Sequence, residues 1–137
     1  MLSCNIISKD NYLSFRIHLA DIMLHPLDIT IGDKRKKAAM EEFVRRACMA
    51  NGDLIKSITV FGSTARGTDR PDSDIDLLVV VDNEDFRLRR DLIGMAFEIM
   101  LDTGMDISVK VLSIREFEAR KSYSFLQNVL SEGIRVV

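Results

Sequence analysis

Cysteine, proline and long apolar runs are all scarce in this 137-residue chain, and each shortage removes a class of protein. Two cysteines, Cys4 and Cys48, cannot make a disulfide scaffold, and neither has a second Cys or His at zinc-ligand spacing. The opening MLSCNIISKD has no basic segment followed by a long apolar stretch, so a cytoplasmic protein with free thiols is expected. The longest apolar run covers residues 77–81, against about 20 residues for a bilayer span, and no membrane helix is expected. With two prolines, no low-complexity tract and no repeat, nothing marks a linker, and residues 1–137 read as a single domain. Basic residues number 19 against 21 acidic ones, so no overall surplus of positive charge points to direct nucleic-acid binding. Any anion site must be built locally. What the chain does have is 47% apolar and 29% charged residues, enough for one packed core and too apolar for a disordered chain.

Hydrophobic spacing gives the order of elements. A loosely helical segment is expected over 10–24, through Leu13, Ile17, Ala20 and Leu24, ended or bent by Pro26. A clearer helix follows, capped by Asp33, striped by Met40, Phe43, Val44 and Ala47, and stopped at Asn51-Gly52 in a left-handed turn. Its opening Lys34-Arg35-Lys36-Lys37 opposes the helix dipole and reads as a solvated end. The β-branched cluster over 54–61 reads as a strand, 74–81 as a second and buried one, and 105–112 as a third. Helices are expected over 85–101, through Leu88, Leu92, Ala96 and Met100, and over most of 114–133 with Phe125, Val129 and Leu130 inward. Residues 134–137 could add a short last strand. Helices and strands in this alternation imply an α/β (α+β) fold, a sheet with flanking helices.

Two features need a joint explanation: the glycine-bounded turn Gly62-Ser63-Thr64-Ala65-Arg66-Gly67 and the acidic cluster Asp69, Asp72, Asp74 and Asp76. Side chains two apart on a strand share a face, so Asp74 and Asp76 project side by side while Ile75 and Leu77 face the other way. Adjacent carboxylates repel unless a cation lies between them, and hard oxygen donors suit magnesium. Asp106 opens the third strand, with Ser108 and Lys110 on its own face. If that strand lies beside the second, three carboxylates could hold two magnesium ions for an in-line displacement at phosphorus. The turn supplies the phosphate partner: Gly62 and Gly67 admit the backbone closely, Ser63 adds a hydroxyl donor, and Arg66 offers a cationic fork.

Other readings fail on residue identity. The glycines have P-loop spacing, but Thr68 stands where the lysine should be. Asp72, Asp74 and Asp76 imitate the first ligands of an EF-hand, yet Leu77 replaces its glycine and Asn83 its bidentate glutamate. Ser63 lacks the glycine two residues before it that a nucleophile elbow requires.

Gly62-Ser63, ten intervening residues and Asp74-Ile75-Asp76 resemble the signature of the DNA polymerase β-type nucleotidyltransferase superfamily, specifically its minimal nucleotidyltransferase (MNT) branch. GSTARGTDRPDSDIDLLV is similar to that core motif along its length, and the tail FLQNVLSEGIRVV to the way many members end, although their terminal tyrosine is absent. Thr64 stands where many members carry a larger polar residue, and the likeness covers residues 54–137. It implies a nucleotidyltransferase fold with a small mixed sheet, a core over about 54–113, and an N-terminal extension, 1–32, of unassigned role. It further implies ATP or another NTP as donor and two magnesium ions on Asp74, Asp76 and Asp106. Asp106 would also be the general base, and Gly62 and Ser63 would hold the phosphates. Small members are often paired with a helical HEPN protein, some as antitoxins that adenylylate it, so a HEPN-type partner or a homo-oligomer is expected to complete the site. The alternative is a non-catalytic nucleotide-binding or antitoxin-type module that occludes its partner.

Overall fold

The computed structural model describes residues 3–7, 14–18, 31–83 and 85–137. Strands β1 (Ser3–Ile7) and β2 (Ser14–His18) pair antiparallel as a two-stranded sheet. This overturns the helical reading for Ser14–His18, because SFRIH also alternates with period two and strand pairing overrides a weak helical spacing. The remainder of the segment expected over 10–24, and the break at Pro26, lie outside the described residues.

The main sheet has order β5-β4-β3-β6, from β3 (Ile55–Phe61), β4 (Ile75–Val81), β5 (Ile107–Ser113) and β6 (Ile134–Arg135). Strands β4 and β5 are parallel, and the other pairs are antiparallel, so the sheet is mixed as the resemblance implied. The parallel pair needs a crossover, which α3 (Phe86–Thr103) provides after its Asp85 cap accepts the Arg87 N–H at 2.8 Å.

Each face of the sheet is covered differently. Ile75, Leu77 and Val79 pack into the large core with Met40, Phe43, Val44 and Ala47 of α1 (Lys34–Asn51) and with Leu88, Leu92, Ala96 and Ile99 of α3. Leu78 and Val80, on the other face, meet only Leu126 and Val129 of α5 (Ser124–Glu132), flanked by Phe61, Leu112 and Phe117. That second cover packs on the C-terminal half of β4, beyond the strand's acidic opening.

Three local expectations are corrected. Gly52 ends α1 in the right-handed region, φ −54°, rather than as a left-handed stop. The helix expected over 114–133 is two helices, α4 (Ile114–Arg120) and α5; the break restarts the helical phase, so Leu126 and Val129 are buried while Phe125 and Leu130 stay exposed. Cys48 is disulfide-bonded rather than a free thiol, since pairing depends on tertiary distance, which sequence does not carry.

The chain end is tied in. After α5 the backbone turns at Gly133, where a Cβ would collide with the Val129 carbonyl and lie 2.7 Å from Thr59 Cγ2. The tail then runs beside β3, with Val136 N–H donating to the Ile58 carbonyl at 2.8 Å. No described helix is long and apolar enough to cross a membrane.

Candidate active site

The site grows from the end of β3. Phe61 pairs with Asp76 across the β3–β4 ladder, and the chain then turns at Gly62, φ +72°, into the five-residue helix α2 (Gly62–Arg66). A Cβ on Gly62 would collide with the Asp76 carboxylate Oδ2 and lie 3.3 Å from its Cγ, so the turn requires glycine for its backbone angle and for this approach. The Gly62 Cα is thereby held directly against one carboxylate.

Strand pairing brings the acidic residues together. Ile75 pairs with Ile107 and Asp76 with Ser108 in the parallel ladder, and the Ile75 N–H donates to the Asp106 carbonyl at 2.9 Å. Asp74 and Asp106 each precede the first paired residue of their strands, so all three aspartates share one end and one face of the sheet. Asp74 and Asp106 are exposed and Asp76 is half-buried. Burial pushes the Asp76 carboxyl up, the Asp74 charge pushes it further, and Lys110 and Arg66 pull it partly back.

The donor set fits a hard divalent cation: three carboxylates on an open edge, one destabilised as an anion by burial and by its neighbour, beside a glycine that leaves room at its oxygen. Among the described residues, no three such side chains already converge on one point.

The other sequence-predicted residues divide. Ser63 is half-buried at the start of α2, and its carbonyl accepts the Thr68 N–H at 3.0 Å. Arg66 is half-exposed and ion-paired with Glu132 of α5 at 3.1 Å, a surface contact worth about 0–1 kcal/mol that a phosphate could displace. Asp69 belongs to a different structure. The Lys36 side chain, 1% exposed, donates to Asp69 Oδ2 at 2.8 Å, to the Arg70 carbonyl at 2.6 Å and to Ser73 Oγ at 2.8 Å. All three ammonium protons are thus committed to the loop that delivers Asp74. A cavity of about 50 Å³ lies beside this clamp, between Asp72-Ser73 and Gly104–Asp106.

Lys36 corrects the solvated reading of the helix opening. A signal for it existed: Lys36, Met40, Phe43 and Ala47 recur at 4, 3 and 4 residues, so the lysine lies on the buried stripe itself. Thr64 was also undervalued; it is buried, and its hydroxyl lies 3.5 Å from the Asp74 carbonyl. On the same side, Phe61 meets Phe125 edge to face at 5.5 Å, and Lys110 Nζ lies 5.5 Å from the Phe125 ring centre.

The sequence resembles those of known proteins. MJ0604 of Methanocaldococcus jannaschii, provisionally named a protein adenylyltransferase, is 37% identical over 98 residues, which is 72% of this chain and 94% of that one. MJ1305 of the same organism, named in the same way, is 27% identical over 111 residues, 77% of this chain and 73% of its own. A crystal structure of a toxin–antitoxin with AMP-PNP aligns with TM-score 0.47 at 26% identity, covering 69% of this chain and 70% of that one. The model of the nucleotidyltransferase domain matches residues 40–135, a span holding Lys36's helix from Met40 onward, the Gly62 turn and all three site aspartates. The chain therefore belongs to the nucleotidyltransferase domain family, as its motif suggested.

Proposed function

We propose that this chain transfers AMP from ATP to a hydroxyl group, with pyrophosphate as leaving group, and that the acceptor is a side chain of a helical, HEPN-type partner protein. The observation that carries the reading is the placement of Asp74, Asp76 and Asp106 at one open sheet edge against the Gly62 turn. Family membership and the names of the two archaeal relatives support it.

In this reading Asp74, Asp76 and Asp106 hold two magnesium ions. When bound, these supply Lewis-acid charge stabilisation to the phosphate oxygens. Gly62 and Ser63 bind the β- and γ-phosphates through backbone and hydroxyl donors, and Arg66 leaves Glu132 for the triphosphate. Asp106, exposed at the edge, takes the proton from the attacking hydroxyl. That oxygen bonds to the α-phosphorus as the bond to pyrophosphate breaks. ATP supply would place the enzyme in the cytoplasm, where the thiol pool would reduce the Cys48 disulfide.

The second reading is a module that occludes a partner without transferring anything. One experiment separates the two. The protein is incubated with magnesium, ATP labelled on the α-phosphate and a candidate HEPN-type protein, and label is followed onto the partner. Label that appears with the natural chain and disappears with Asp74→Asn or Asp76→Asn supports transfer. Tight association without label under any magnesium or nucleotide condition selects the occluding module.

A further inference from the structure

The outer side of α3 carries an apolar stripe that the chain does not bury. Phe86, Ile93, Phe97 and Leu101 are 76%, 49%, 57% and 66% exposed. At about 100° per residue they fall on one arc of the helix, opposite the buried Leu88, Leu92, Ala96 and Ile99. Arg90, 68% exposed, interrupts the stripe between Phe86 and Ile93, and the exposed aromatic and aliphatic side chains around it mark a surface used in association.

Gly94 lies on the same arc, near the middle of the helix. Glycine weakens a helix interior, and among the described residues nothing requires it here: its φ is not positive, and a Cβ would meet no atom within 4 Å. A notch in an exposed apolar helix face permits close approach of another helix.

Charge along the helix identifies that other helix. The N-terminal half carries Arg87, Arg89 and Arg90, and the C-terminal half carries Glu98 and Asp102. An antiparallel copy of α3 crossing at Gly94 sets Arg90 opposite the second copy's Glu98, and a two-fold axis makes the pair twice. Glu98 leans on Arg46 at 3.5 Å, yet its side chain is 68% exposed and remains reachable from the stripe's flank. We propose that this face is a homodimer interface, with two copies of the chain pairing antiparallel through α3 about Gly94. The face belongs to the helical layer across the sheet from Asp74 and Asp76, so dimerisation leaves the acidic edge free for nucleotide and acceptor.

Sedimentation equilibrium on the full chain over a range of concentrations tests this, with circular dichroism confirming that each variant is folded. The natural chain is expected to dimerise, and Phe97→Asp to weaken the dimer at least about a hundredfold, since one central aromatic is lost from each copy. Gly94→Leu, which favours the isolated helix, is expected to weaken it too. Arg90→Glu alone and Glu98→Arg alone should each weaken it about tenfold or more, while the double swap R90E/E98R restores it to within a few-fold. A natural chain that stays monomeric would overturn the proposal. So would a dimer indifferent to Phe97→Asp, a charge swap that fails to restore pairing, or a monomer whose α3 face binds only a different protein.

Discussion

Lys36 Nζ lies 2.8 Å from Asp69 Oδ2, with the lysine side chain 1% exposed, so a cation from the first turn of α1 is held inside the protein against the loop that opens β4. Lys36→Met would leave the half-buried Asp69, the Arg70 carbonyl and Ser73 Oγ without this donor. Breaking a buried pair in this way costs about 3–5 kcal/mol, at the low end here because Asp69 keeps some exposure. The expected result is a lower midpoint in urea unfolding, together with reduced nucleotidyl transfer under conditions where the variant is still folded. Lys36→Arg should restore little of either, because a planar fork cannot reproduce three diverging bonds from one nitrogen.

Gly62→Ala combines two penalties. A left-handed backbone angle costs a residue with a Cβ about 1–2 kcal/mol, and the added methyl must also displace the Asp76 carboxylate. We expect a folded protein, by circular dichroism, whose transfer activity is lost far out of proportion to its stability. Gly94→Ala, measured at concentrations where the chain is monomeric, is the control: with positive φ and steric contact within the chain both absent, it should raise the melting temperature slightly.

Asp76→Asn separates stability from activity. Burial and the Asp74 charge disfavour the ionised Asp76 in the folded state. With its carboxyl raised above the unfolded value, the natural protein loses stability as pH rises through the folded-state value, and is spared that loss below the ordinary carboxylate range. In the absence of metal, the variant should therefore melt higher than the natural chain at neutral pH, with the gain vanishing in acid. Transfer, measured with labelled ATP and magnesium, should fall by about a thousandfold, corresponding to the several kcal/mol that a metal-bound oxygen supplies.

Glu42 gives the opposite pH dependence. Its hydrogen bonds from Arg45, reinforced by Arg46, hold the carboxyl down to about 2 from an ordinary 4.5. A depressed acid contributes stability above its unfolded value, and the contribution is lost as pH falls through the folded one. Acid titration of the melting temperature should show a component between pH 4.5 and about 2 that Glu42→Gln removes. All three side chains are about one-third exposed, so the component should be under about 1 kcal/mol and shrink in high salt.

The main elements were legible because their signals are local. A continuous apolar run marks a strand covered on both faces, as residues 77–81 are, and Asp33 and Asp85 cap their helices because a short carboxylate reaches an N–H two residues on. The pairing of Asp74 with Asp76 follows from the two-residue repeat of any strand. What sequence left open depends on partners distant in the chain. That Asp106 shares an end and a face of the sheet with Asp74 and Asp76 was open until β5 lay parallel to β4 in the register Ile75 to Ile107. Lys36 lies on an apolar stripe by period, but only the loop 33 to 37 residues ahead supplies the three acceptors that allow a buried ammonium. Ser14–His18 carries both a helical and an alternating pattern, and pairing with Ser3–Ile7 chose between them. The sequence by itself determined which residues could do the chemistry, because side-chain type and short-range spacing are covalent facts. The tertiary structure decided which of them lie together, because charge pairing, burial and steric exclusion at Gly62 exist only once distant segments touch.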